Sequence, residues 1–178
     1  MQTLEARITE TYHRADSATF HAGSTWYREA QELAIELSEL SGHTIEQCAA
    51  VISHLSPRVK WDLNVIAARE LVLNGTRANG IMTAPFARAL KAFNSDNPIE
   101  TFGGPKTKSF FLNIIGDETA VTIDVWMLKV VGMTDKELGR KGVYDSIADA
   151  FRVVAMELGI SASALQAICW IVIRGAAK

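Results

Sequence analysis

The sequence predicts an all-α fold, and three observations predict it. Apolar residues recur at helical spacing in nearly every segment, each segment is bounded by a capping residue, a glycine or a proline, and strand-type alternation is confined to one short stretch, "TAVTIDVW", residues 119–126. The chain has 178 residues, 48% of them apolar, enough for a substantial core in one compact, two-lobed helical domain. The loop "RANGIMTAP", residues 77–85, is the expected join between the lobes.

The elements follow in order. Residues 3–15 have the pattern of a polar helix. The stretch "STWYREAQELAIELSELSG" starts at Ser24, a capping residue, and stops at Gly42. In "HTIEQCAAVISHLSP", Thr44 and Gln47 have the spacing of a capping box, and Pro57 ends the helix. "WDLNVIAARELVLNG" is amphipathic and stops at Asn74-Gly75. "TAPFARALKAFN" places Thr83 as a cap with Pro85 in the first turn. "NPIETFGG" reads as a short helical turn followed by a glycine hairpin. "PKTKSFFLNIIG" and "VTIDVWMLKVVG" each close on a glycine. "YDSIADAFRVVAMELG" and "SASALQAICWIVIRG", the latter capped by Ser161, complete about nine or ten short helices.

Composition excludes several classes of function. Eighteen basic residues stand against twenty acidic ones, a net charge of −2. That balance argues against a histone-like nucleic-acid binder but leaves room for a local basic patch. The two cysteines, Cys48 and Cys169, lie in apolar helical contexts and are too few for a four-cysteine cluster, so buried thiols are expected. His43 and His54 lack the partners of a metal site, and no metal or cofactor is expected. The charged start "MQTLEARITETYHRAD" does not resemble a signal peptide. The longest apolar run near the end, "ALQAICWIVI", has about half the length of a membrane span. A soluble, cytoplasmic protein without a membrane partner is expected.

The chemistry concentrates between Thr101 and Val131. In Phe102-Gly103-Gly104-Pro105, two glycines permit positive φ and close approach of another backbone, and Pro105 occupies a first helical turn, where its missing N–H costs nothing. The free amides of that turn, with Lys106 and Lys108 beside them, suit a sequence-independent phosphate grip. An ordinary corner between helices satisfies the same pattern. A lone carboxylate, Asp124, follows eighteen positions after Lys106, inside the apolar Thr-Ile-Asp-Val-Trp. Either it caps the helix that follows, or it belongs to a site.

Taken together, "GGPKT", "TIDVWMLKV" and "AAVISHLSPRVKWDLNVIAA" resemble the helix-hairpin-helix DNA glycosylase superfamily, the group that includes endonuclease III and the adenine glycosylase. The resemblance spans Thr44 to Val131, with the hairpin and the Asp motif at residues 97–131. It departs from the family pattern at three places. Phe102 replaces the first hairpin glycine, Arg58 stands where members often carry Gln, and Trp126 replaces the His of the Asp motif. No cysteine cluster follows. The chain is also shorter than typical members.

The resemblance implies DNA as partner and a base flipped out of the duplex. Asp124 would stabilise charge on the sugar or deprotonate a nucleophile. Lys106 would be either the amine nucleophile of a lyase step or a phosphate contact. Gly103, Gly104, Thr107 and Lys108 would hold phosphate. Arg58 and Lys60, after Leu-Ser-Pro, would meet phosphate or a base edge. Trp126 would be a stacking platform or a core residue, and Gln166 and Arg174 would border the site. Two other functions fit the same residues: a DNA base-modifying enzyme of the same fold, and a non-catalytic DNA- or protein-binding module. The C-terminal third is also similar to phage-encoded proteins, for which the location would be the host cytoplasm.

Overall fold

Ten α-helices and one 3-10 helix make up the computed structural model, which describes residues 2–175 and has no strand among them. The chain divides into two units. Of the described residues, one contains those up to Tyr27 and those from Asp117 to Gly175, and the other is Arg28–Gly116.

The first unit contains α1 (Leu4–Tyr12), the start of α2 (Ser17–Ser41), α7 (Val125–Val131), α8 (Asp135–Leu138), α9 (Val143–Leu158) and α10 (Ala162–Arg174). Helix α1 packs on α9 and α10, and α7 packs on α10. On α9, Ile147, Phe151, Val154 and Ala155 recur at helical spacing and are buried, so one face of the helix forms the core with Ile8, Met127 and Leu165. Ser161 caps α10 by accepting from the Ala164 N–H, as the sequence predicts.

The stretch with strand-type alternation, residues 119–126, does not pair with a strand. Val121 and Ile123 face the core, and the Tyr144 hydroxyl of α9 takes the place of a neighbouring strand. It donates to the Val121 carbonyl at 2.8 Å and accepts from the Ile123 N–H at 3.1 Å.

Helix α2 starts seven residues before the expected cap at Ser24. Its first turn is capped by Asp16, whose Oδ1 accepts from the Thr19 N–H at 2.7 Å. Gly23-Ser24 resembles a break in sequence, but Gly23 is interior to the helix for a packing reason. A Cβ built there would lie 2.5–2.7 Å from the Cγ1, Cα and N of Ile168 on α10. The two helices cross nearly backbone to backbone, and only glycine leaves the space.

In the second unit, α3 (Ile45–Leu55) is the central helix, and every residue from Cys48 to Leu55 is buried. Around it pack α4 (Trp61–Asn74), α5 (Thr83–Phe93), the 3-10 helix (Pro98–Thr101) and α6 (Pro105–Ile114). The Thr44–Gln47 capping box starts α3 with both reciprocal bonds present. Gly75 ends α4 at φ 68°, where a side chain would be strained. Thr83 is the first residue of α5 rather than its cap, and its hydroxyl accepts from Arg77 at 2.6 Å. The loop at 77–85 does not divide the chain, because α4 and α5 on either side of it both pack on α3.

Replacing Gly23 by Ala should destabilise the protein by about 1–3 kcal/mol in urea titration, although alanine is the better helix former. Gly103→Ala, with nothing within 4 Å of its Cβ position, is the control and should hold or slightly raise stability.

Candidate functional site

Asp124 is built into the first unit by the extended segment that Tyr144 holds. It is the N-cap of α7, and its Oδ1 accepts from the N–H groups of Trp126 at 2.9 Å and Met127 at 3.1 Å. Its Oδ2 accepts from the indole Nε1–H of Trp170, on α10, at 3.0 Å. The sequence left open a cap or a site role. The cap is observed, and the second oxygen is engaged by a residue that the sequence did not single out. Three N–H donors converge on one half-buried carboxylate.

The surroundings of Asp124 are aromatic and polar. Trp26 meets the Trp170 ring edge-on, with centroids 6.0 Å apart, and the Arg174 guanidinium lies 4.4 Å from the Trp170 ring centre. One turn before Trp170, the buried Gln166 accepts from the Tyr27 hydroxyl at 2.6 Å. Burial pushes the Tyr27 hydroxyl well above its ordinary range, and the negative charge of Asp124 acts in the same direction, so Tyr27 keeps its proton and remains a donor. Gln166, Trp170 and Arg174 are spaced four apart and share one face of α10. The signal that would have found Trp170 is that spacing: three hydrogen-bonding side chains at four-residue intervals in the otherwise apolar stretch from Ala164 to Arg174. Trp126 is half-buried against the core, and the Lys129 ammonium lies 4.0 Å from its ring centre. A base stacking on that face would have to displace Lys129.

The glycine turn belongs to the second unit, and two buried polar residues of α3 position it. The Ser53 hydroxyl donates to the Thr107 carbonyl at 2.6 Å. His54 Nε2 lies 2.8 Å from the Thr101 hydroxyl. That hydroxyl donates its own proton to the Pro98 carbonyl at 2.6 Å, so it accepts from His54, whose Nε2 carries the hydrogen. The His54 ring stacks on Phe102, with centroids 4.1 Å apart and planes 10° from parallel, and Phe102 in turn leans on Phe111. The departure from the hairpin pattern therefore has a packing role: Phe102 anchors the turn to the core. Burial holds the His54 imidazole down at about 4, and the Arg88 charge adds to this.

Beside this turn is an open cleft of about 270 Å³, lined by His54, Pro57, Arg88, Gly103, Gly104 and Thr107. The two glycines do not serve the purpose the sequence suggests. Neither has positive φ, Gly104 is extended at φ −141°, and a Cβ on either would meet nothing within 4 Å. Neither backbone conformation nor close packing requires glycine here. The absence of side chains instead leaves the turn uncovered where it borders the cleft.

Lys106 and Lys108 are exposed on the first turn of α6, and Lys60, the N-cap of α4, is exposed and makes no side-chain cap bond. Arg58 is exposed at φ 64°, the left-handed region that a side chain seldom adopts. The Val59 N–H bonds back to the Ser56 carbonyl, so Pro57-Arg58 are the central residues of a type II turn, with Arg58 at the position usually held by glycine. The site residues read from the sequence thus divide between the units. Asp124 and Trp126 are in the first, and Gly103, Gly104, Lys106, Thr107, Lys108, Arg58 and Lys60 in the second. Both cysteines are free and buried, and burial pushes Cys48 up to about 11 and Cys169 to about 12, so neither is a reactive thiolate. Among the described residues, no three His, Cys, Asp or Glu side chains gather as metal ligands. No single helix among them is long and apolar enough to cross a membrane.

The folded His54 value lies below the unfolded one, so between pH 6.5 and about 4 the unfolded chain binds a proton that the folded chain does not. Its contribution is complete above pH 6.5 and is lost as pH falls through that window. Stability should drop by on the order of 1–2 kcal/mol between pH 7 and pH 5, above the carboxylate range. Urea titrations of His54→Gln should lack this drop.

No curated protein and no solved structure matches the chain. A family model matches residues 1–177, and the chain belongs to that family, described as a family of unknown function (DUF7178).

Proposed function

We propose that the chain is a DNA glycosylase of the helix-hairpin-helix kind, acting on a flipped-out base, with Asp124 stabilising positive charge on the sugar. In this reaction the bond between C1′ and the base nitrogen breaks. The base leaves with a proton, and water takes its place at C1′; in a lyase step at an abasic site the Lys106 amine would be the nucleophile. The observation that carries the reading is the Asp124 carboxylate, half-buried and oriented by three N–H donors beside Trp170, Tyr27 and Gln166. A carboxylate so oriented has little reorganisation left to make when charge develops beside it. The resemblance of "GGPKT" and "TIDVW" to the glycosylase motifs supports the same reading. So do the uncovered Gly103-Gly104 turn and the Arg88, Lys106 and Lys108 cations near the start of α6.

One observation favours a non-catalytic binding module instead. Asp124 Oδ1 makes the two bonds of an ordinary helix cap, which stabilises α7 without any chemistry. The lyase form of the first reading separates from the binding module on an oligonucleotide duplex carrying a single abasic site, treated with borohydride. The glycosylase/lyase reading expects a covalent adduct in wild type and in Lys108→Ala, none in Lys106→Ala, and a loss of about a hundredfold or more in rate in Asp124→Asn. An adduct indifferent to Lys106 removes the nucleophile role. Full activity in Asp124→Asn removes the mechanism. If treated DNA holds an altered base rather than an abasic site, by nucleoside mass spectrometry, the enzyme modifies bases.

Arg58 supplies a second test. Glycine at position 58 relieves the left-handed strain, so Arg58→Gly should hold or raise stability by up to about 1 kcal/mol. If Arg58 meets DNA, the same variant should bind duplex DNA several-fold more weakly. Undiminished binding would leave Arg58 as a turn residue only.

A further inference from the structure

We propose that Trp170 is the positioning residue for Asp124, and that Arg174 and Trp26 hold its indole in place. The inference rests on the reading of Asp124 as the charge-stabilising group. The backbone cap engages only Oδ1. The Trp170 Nε1–H engages the other oxygen, donating to Oδ2 at 3.0 Å, so that any tilt of the group off its cap costs this bond as well. The indole is constrained in turn, by Arg174 lying over its face and by Trp26 at its edge. Gln166, one turn earlier on α10, ties the same helix face to Tyr27. The carboxylate plane is therefore set by two elements, α7 through Oδ1 and α10 through Oδ2.

A merely structural tryptophan would affect folding and leave the site's response to charge alone. A positioning tryptophan changes how strongly Asp124 attracts a cation on the sugar. Two duplexes isolate that property without knowledge of the base: one carries a neutral tetrahydrofuran abasic analogue, the other a protonated pyrrolidine analogue that mimics the cationic sugar. Wild type should prefer the cationic duplex, on the order of a hundredfold. Asp124→Asn should abolish the preference. Trp170→Phe should reduce it about tenfold, the worth of one hydrogen bond to a charged group. If Trp170→Phe does not fold, replacing Trp170 by benzothienylalanine keeps both rings and exchanges only the N–H for sulfur. In the tryptophan side-chain NMR spectrum, the indole resonance missing from Trp170→Phe should be the one that shifts most in Asp124→Asn.

A full preference retained by the Trp170 variants, with Asp124→Asn lacking it, overturns the positioning role and leaves the reading of Asp124 intact. A wild type with no preference overturns the reading itself and the positioning role with it. The indole resonance then still reports whether the Trp170–Asp124 bond exists as plain structure.

Discussion

A helix buried on every side has no free surface for polar groups, and this constraint organises the second unit. From Cys48 to Leu55, α3 exposes essentially nothing, yet it carries Ser53 and His54. Each must find a partner inside the protein or the unit would carry an unsatisfied buried group at a cost of about 1–3 kcal/mol. Both partners lie in the segment from the 3-10 helix to α6, one on each side of the glycine turn: Thr101 before it and Thr107 after it. The need to satisfy α3 therefore fixes the turn at two points and leaves open space beside Gly103 and Gly104 where side chains would stand. The cleft is a consequence of that suspension.

In the first unit a single carboxylate performs the corresponding task. Asp124 joins the start of a seven-residue helix to the indole of α10, and α7 is too short to be stable by its own propensity. Structure and candidate chemistry draw on the same atoms, and the two oxygens divide the work. Oδ1 carries the cap. Oδ2 carries the bond to Trp170. An ordinary cap needs only the first of these. The second orders two aromatic rings and an arginine around the carboxylate, which capping does not require.

Much of the fold was legible in the sequence because its signals are local. The Thr44–Gln47 box, the Ser161 cap and the glycine stop at Gly75 each depend on residues within a turn of one another. The errors came where a distant contact outweighed a local preference. Ser24 looks like the start of a helix until Ile168 is brought against Gly23 inside it, and "TAVTIDVW" looks like a strand until Tyr144 satisfies its backbone. The candidate site was legible in the same uneven way. Asp124 stood out as a lone carboxylate in an apolar run. Trp170 did not, because its bond to Asp124 spans 46 positions, and the Tyr27–Gln166 bond spans 139. Hydropathy marks such residues as core, and only the folded chain shows what their polar atoms touch.

A pair of inverted preferences beside the cleft argues that its surface is not shaped by folding alone. At position 58 the type II turn favours glycine, and the sequence places a long cationic side chain there against about 1–2 kcal/mol of backbone strain. At positions 103 and 104 the backbone accepts any residue, with open space around each Cβ, and the sequence places glycine, the residue that loses most entropy on folding. Stability by itself would favour the reverse in both places. Pro57, which precedes Arg58, and both glycines line the same 270 Å³ cleft. Local rules broken in opposite directions around one cavity are expected where a cation must project and a backbone must stay uncovered. Such exceptions fit the anion-facing surface proposed above, and they are independent of the motif resemblance.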